Sequence, residues 1–238
     1  MSIYLVNGAK GGVGKSLLTM ALLDYLKDRE PALLETDIAN PDVGKAYGRE
    51  VSRFGALDLG GEDAWIDFAN FVSEAPGPVV VNSAAGTDAS ERAARLANAL
   101  EELGQDLVCF WVINTQRDSL ELLKKFIRGT GGRGRGTRIH VCRNLFFGDP
   151  ADFRLYDESG ARKEIEANGG KTLDFPKLAR RVSHSLYVDR LPIDGASEKM
   201  PFGNRIELQR WRKLVHSMFS ESEAFSTGSV KERLRGLL

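Results

Sequence analysis

Cysteine is scarce in this 238-residue chain, neither sign of charge is in excess, and no apolar run exceeds the seven residues Leu107–Ile113. Each shortage excludes something. A membrane-spanning helix needs about 20 apolar residues, so no segment qualifies. Lys and Arg together number 33, equal to Asp and Glu, so a nucleic-acid or membrane partner would have to use local patches rather than a global field. Cys109 and Cys142, the two cysteines, both lie inside apolar segments and are expected to be buried free thiols. No Cys or carboxylate stands at metal-ligand spacing around His140, His184 or His216, so no zinc site is expected. Eight prolines and 25 glycines are too few for a fibrous or disordered chain. The N-terminus has no basic flank and no small-residue cleavage site, so the chain is expected to stay in the cytoplasm.

What remains is an alternation of short apolar runs with longer segments of helical period. That pattern predicts an α/β class, a doubly wound and mostly parallel sheet with helices on both faces. Strands are expected at Ile3–Asn7, Ala32–Thr36, Val79–Asn82, Leu107–Asn114, Arg138–Arg143 and Leu186–Asp189. Crossover helices are expected at Lys15–Lys27, Ser90–Leu103 and Ser119–Arg128. Helical stretches follow at Ala151–Asn168, Phe175–Val182 and Asn204–Phe219. One domain is expected over 1–220, with 221–238 forming a linker and a short amphipathic tail.

The informative stretch is Gly8-Ala9-Lys10-Gly11-Gly12-Val13-Gly14-Lys15-Ser16, between the first strand and the first helix. A phosphate needs backbone N–H groups aimed at it, glycines that let the chain curl closely, a helix N-terminus, a lysine for charge and a hydroxyl for Mg²⁺. All are present. Position 9 holds Ala where the strict phosphate-loop pattern has Gly, and Lys10 is an additional lysine. Two lysines five residues apart on one loop cannot serve one phosphate group equally, which frees one to act on a second molecule.

With Lys10 the loop resembles the deviant Walker A motif of the ParA and MinD ATPases. That resemblance implies ATP and Mg²⁺ as cofactors, with the nucleotide held by Gly11, Gly12, Val13, Gly14, Lys15, Ser16 and Leu17. It further implies that Lys15 binds the β and γ phosphates, that Ser16 binds Mg²⁺, and that Lys10 reaches the partner's nucleotide across a homodimer. By the same resemblance, Glu35 and Asp37 in Leu34-Glu35-Thr36-Asp37 match the acids of the first switch. Asp37 is then the residue that orients the attacking water and helps hold Mg²⁺, with Glu35 the weaker candidate.

Pro78–Gly86 matches the family's Walker B region in position, but Asn82 stands where the family carries Asp. Asn can accept a hydrogen bond from a metal-bound water and supplies no charge. Slow hydrolysis or weak Mg²⁺ binding is therefore expected unless Glu35 or Asp37 makes up the charge. The resemblance makes Gly86 the hinge that senses the γ phosphate, and Asn144 the reader of the adenine edge, with a turn-forming role as its alternative.

The implied activity is slow ATP hydrolysis in a nucleotide-dependent dimer, released from DNA, membrane or protein when ATP is spent and stimulated by a partner protein. Plasmid partition, conjugative mobilisation and intracellular positioning are the implied settings. The Arg-rich loop Arg128–Arg138 and the basic residues Arg180, Arg181, Arg205, Arg210, Arg212 and Lys213 could grip DNA phosphates without reading bases. The tail Val230–Leu238 loosely resembles a membrane-targeting tail, and one copy would bind lipid feebly. Two other classes stay open: an ATP-gated scaffold that does not hydrolyse, and a small-molecule ligase or kinase of the dethiobiotin-synthetase type.

Overall fold

The computed structural model describes residues 2–8, 11–61, 63–84, 96, 100, 106–130 and 137–223. Seven strands form one sheet: β1 (Ile3–Asn7), β2 (Ala32–Glu35), β3 (Arg53–Ala56), β4 (Val79–Asn82), β5 (Leu107–Ile113), β6 (Thr137–Asn144) and β7 (Thr172–Phe175). Their order is β3-β2-β4-β1-β5-β6-β7, and every pairing is parallel. Strands buried on both faces read as continuous apolar runs, and β1, β2 and β4 are buried at every position.

Two apolar layers enclose the sheet. One holds α1 (Lys15–Leu26), α2 (Asp42–Tyr47), α7 (Arg180–Asp189), α8 (Ile193–Lys199) and α9 (Phe202–Glu223), packed around Leu22, Phe110, Trp211 and Phe219. The other holds α3 (Ala64–Ser73), α4 (Arg117–Gly129), α5 (Arg154–Asp157) and α6 (Gly160–Ala167), packed around Phe71, Trp111 and Phe126. Of the helix expected at 90–103, Leu96 and Leu100 are described, both buried in this second layer, and its other residues lie outside the described set. Helix α9 continues to Glu223, three residues past the expected boundary at 220.

Two expected elements are corrected. Leu186–Asp189 is the end of α7 rather than a strand, because Val182 and Leu186 are buried at i, i+4 spacing while Tyr187 and Val188 face out. Phe175 closes β7, and the helix expected from it begins five residues later at Arg180. Strands β3 and β7 have no counterpart in the sequence reading. Both are four-residue edge strands with exposed or half-exposed alternate positions, so neither shows a continuous apolar run.

Polar groups fasten the layers. Asp24, on α1 and buried, accepts from Arg212 Nε at 2.6 Å and lies 2.7 Å from His216 Nε2. Arg212 also reaches Asp194 at 2.5 Å, which joins α1 to α8 and α9. At the far end of α9, Glu223 accepts two bonds from Arg29 at 3.0 Å and one each from the Tyr4 and Tyr25 hydroxyls. Cys109 and Cys142 are free thiols on adjacent strands, and burial pushes both upward from their ordinary pKa.

His140 on β6 is the discordant core residue. It is buried against Phe110 with ring centroids 5.5 Å apart, and neither ring nitrogen has a hydrogen-bond partner among the described residues. Burial pulls its pKa down to about 3, with Arg138 and Lys171 acting in the same direction. A depressed folded-state pKa means that stability is whole above about pH 6.5 and is lost as pH falls toward 3. His140→Phe should therefore flatten the acid limb of the stability profile, with an advantage of roughly 3 kcal/mol by pH 4. Urea melts of the two proteins from pH 7 to 4 check this, and parallel curves would refute it.

Candidate functional site

The site is assembled where β1, β2, β4 and β6 end, at the carboxyl edge of a doubly wound sheet. From Asn7 the chain must reverse into α1, and two glycines make this possible. Gly12 has φ 77° and Gly14 has φ 106°, in the left-handed region that side chains disfavour. No side chain caps the N-terminus of α1 and no acidic residue occupies its first turn, so the turn Lys15-Ser16-Leu17 presents a helix dipole suited to an anion.

The loop is braced from behind. Buried Asn7 accepts from the Gly8 amide and from Ser83 Oγ, both at 2.7 Å, which locks the start of the loop to the segment after β4. Asn144 donates through Nδ2 to the Val13 carbonyl at 2.7 Å and accepts at Oδ1 from the Phe146 amide at 3.0 Å. Both ends of its amide are thus engaged by the protein, one on the loop and one on its own turn. A Cβ on Gly14 would run into that same Nδ2, so glycine is required there on two counts.

Lys15, at the first position of α1, is 8 % exposed. Burial lowers its pKa to about 8, and the nearby Asp37 charge works the other way. A lysine held at the mouth of the loop and stripped of water is chemically matched to a phosphate, which would replace the lost hydration. Ser16 beside it is half-buried. Asp37, half-buried in the turn after β2, accepts from the Asn40 amide at 3.1 Å. The structure therefore brings Gly11–Leu17, Asp37, Asn82 and Asn144 to one edge. Lys10 and Gly86 lie outside the described residues, as do 131–136 of the Arg-rich loop and the tail 224–238.

Behind Asp37 lies a buried polar chain. Glu35, fully buried, accepts from the Gly44 amide at 2.9 Å and from Asn82 Nδ2 at 2.8 Å. Asn82 Oδ1 in turn accepts from Thr19 Oγ1 at 2.9 Å, and that hydroxyl also lies 3.0 Å from the Lys15 carbonyl. Burial raises the Glu35 pKa, and the Asn82 and Gly44 hydrogen bonds oppose the rise. Thr36 Oγ1 accepts from the Ala84 amide at 2.8 Å and ties the same two strand ends together. Asn7, Thr19, Thr36 and Ser83 were missed in the sequence reading. Their signal was a polar residue closing or interrupting an apolar run.

Of the basic surface candidates, Arg212 is committed to Asp24 and Asp194, and Arg210 forms a bidentate pair with Glu207.

A glycine-rich turn feeding a helix from the central strand of a parallel sheet, with a buried lysine at the helix start, defines a P-loop NTPase fold, and solved structures that share it are of the ParA/MinD type. The MinD cell division protein of Aquifex aeolicus shares it, with TM-score 0.52 and 15 % identity over 88 % of this chain and 96 % of that one. A plasmid partition protein of Borrelia burgdorferi bound to AMPPNP aligns with TM-score 0.50 and 12 % identity, covering 87 % of this chain and 97 % of that one. Protein MobD of Acidithiobacillus ferrooxidans is 44 % identical over 216 residues, 89 % of this chain and 93 % of the relative. The chain belongs to the family of that protein. No family model matches it.

The two left-handed glycines make a graded prediction. Nothing lies within 4 Å of a Cβ added at Gly12, whereas one at Gly14 meets Asn144. Gly12→Ala should lose about 1 kcal/mol from backbone strain alone, and Gly14→Ala at least about twice that. Urea denaturation without nucleotide measures both, and equal losses would contradict the clamp.

Proposed function

We propose that this chain is an ATP-dependent dimerising switch ATPase, a reading that rests on one observation: a buried Lys15 at the uncapped start of α1, beneath a loop curled by Gly12 and Gly14. Triphosphate is the ligand this geometry fits. Lys15 and the loop amides hold the β and γ phosphates, and Ser16 and Asp37 are the residues that would hold Mg²⁺. The metal supplies charge neutralisation at the transferring phosphate. Asp37 orients the attacking water, and its hydrogen bond from the Asn40 amide fixes the turn on which it sits.

Lys10, five residues before Lys15, acts in trans in this reading, so the complete site forms between two copies. Hydrolysis then dissolves the dimer and releases whatever surface it held, whether DNA, membrane or protein. By likeness to the partition and positioning proteins of the same fold, the cellular role is plasmid partition, conjugative mobilisation or intracellular positioning, with a partner protein stimulating turnover. Among the described residues no helix is long and apolar enough to cross a membrane.

Light scattering without nucleotide, with ADP, and with a slowly hydrolysed ATP analogue plus Mg²⁺ tests the switch. The expected result is a dimer with the analogue alone, absent in Lys10→Ala, and at least tenfold weaker analogue binding in Lys15→Ala. A monomer under all three conditions would overturn it.

A further inference from the structure

Position 82 holds an amide where the resemblance leads one to expect an acid, and the structure shows what faces it. The Asn82 side chain is buried and bonded at both ends of its amide. Its Nδ2 donates to Glu35 Oε2 at 2.8 Å, and its Oδ1 accepts from Thr19 Oγ1 at 2.9 Å. Glu35 is fully buried as well, and its other oxygen accepts from the Gly44 amide at 2.9 Å. The direction of every bond follows from the donors present. Gly44 N–H and Asn82 N–H both point at the carboxylate, and the Thr19 hydroxyl points at the Asn82 carbonyl or at Lys15 O.

We propose that Glu35 and Asn82 form a pair holding a single buried charge: with an amide at 82, Glu35 alone carries the negative charge of this place, and the hydrogen bond between them would let either position bear it. In this role Glu35 is a positioning residue, acting through Asn82 and Thr19 on the phosphate-loop helix and through Gly44 on the far side of the Asp37 turn. The inference rests on the nucleotide reading above.

Three segments converge on this one carboxylate. Thr19 lies one turn beyond Lys15 and Ser16, with its hydroxyl 3.0 Å from the Lys15 carbonyl. Gly44 is the third residue of α2, the helix that ends the loop bearing Asp37. Asn82 closes β4. A charge at position 35 therefore sits among the same elements as one at 82, a single hydrogen bond away. Nearby, Asp42 and Asp37 are held by Asn40 and Lys45, so neither bonds to the pair.

The hydrogen-bond arithmetic separates this from a coincidental contact. Asn82→Asp alone sets two acceptors against each other 2.8 Å apart in a buried place. It should destabilise the protein rather than repair the site. Glu35→Gln alone removes the charge but keeps the bonds, because Asn82 can turn its carbonyl to the new amide at position 35 and its NH₂ to Thr19 Oγ1. With both changes every donor meets an acceptor again. Gly44 N–H donates to the carbonyl of the amide introduced at 35, and the NH₂ of that amide donates to the carboxylate introduced at 82. Thr19 donates to the other oxygen of the same carboxylate. The charge has then moved to 82.

The experiment uses the full chain as wild type, E35Q, N82D and E35Q/N82D. Thermal melting without nucleotide gives one readout, and the affinity for a fluorescent ATP analogue, in Mg²⁺ and in EDTA, gives the other. N82D should melt at least about 5 °C below wild type, while E35Q and the double variant stay within about 2 °C of it. The gain in affinity on adding Mg²⁺ should fall about tenfold in E35Q and return in the double variant. If N82D does not fold, rescue by adding E35Q carries the same information.

The proposal fails if N82D melts like wild type, if the double variant is no better than N82D, or if E35Q keeps the full Mg²⁺ gain. A wild type with no affinity for the analogue would instead sink the nucleotide reading. The charge role would fall with it, and the melting cycle would still decide whether 35 and 82 form a pair that holds a single charge.

Discussion

Everything at this site follows from the need to turn a buried strand into a buried helix while leaving the helix's first amides uncapped. An α-helix start normally takes a Ser, Thr, Asp or Asn cap, and a capping side chain would occupy the position that a phosphate needs. The chain places Gly14 there instead and holds it from the side with Asn144. The turn is consequently braced by neighbouring strands rather than by its own side chains. Asn7 and Ser83 fasten one shoulder of it, and Asn144 fastens the other.

Burial of Lys15 is the second consequence. A lone ammonium at the edge of a core is costly, and the site offsets this with the Asp37 charge while burial draws the pKa toward neutrality. The polar chain of Glu35, Asn82 and Thr19 extends the same logic one layer deeper, where each acceptor is matched to a donor. Buried polar groups satisfied in this way fix a unique arrangement of the strands that carry them.

The parts of this architecture that were legible in sequence share a physical reason. β1, β2, β4 and β5 lie inside the sheet, where both faces select apolar residues and an apolar run is the signal, while β6, also inside, keeps only Val141 and Cys142 between His140 and Arg143. The loop at Gly8–Ser16 was legible because phosphate geometry restricts each position separately. Edge strands β3 and β7 face solvent or helix ends on part of their surface, and Gly55 and Asp174 interrupt any pattern. Leu186–Asp189 misled because four residues cannot distinguish a strand from the last turn of an amphipathic helix. The support of the site was the least legible part. Asn144 reads equally well as a turn former or a ligand contact, and only its bond to the Val13 carbonyl shows that it clamps the loop. The Glu35–Asn82 bond joins residues 47 apart, a distance at which no local pattern operates.

Helix α1 begins at Lys15 and carries Asp24 nine residues on, where Arg212 and His216 of α9 grip it. An α-helix is stiff along its axis, so those two ends, about 13 Å apart, behave as the ends of a short rod. One end lies under the phosphate loop and the other is bolted to α9, with Arg212 also holding α8 through Asp194. A displacement of the loop along that axis would therefore be felt as a sliding of the C-terminal helices across the sheet, converting a local event into motion of an entire face.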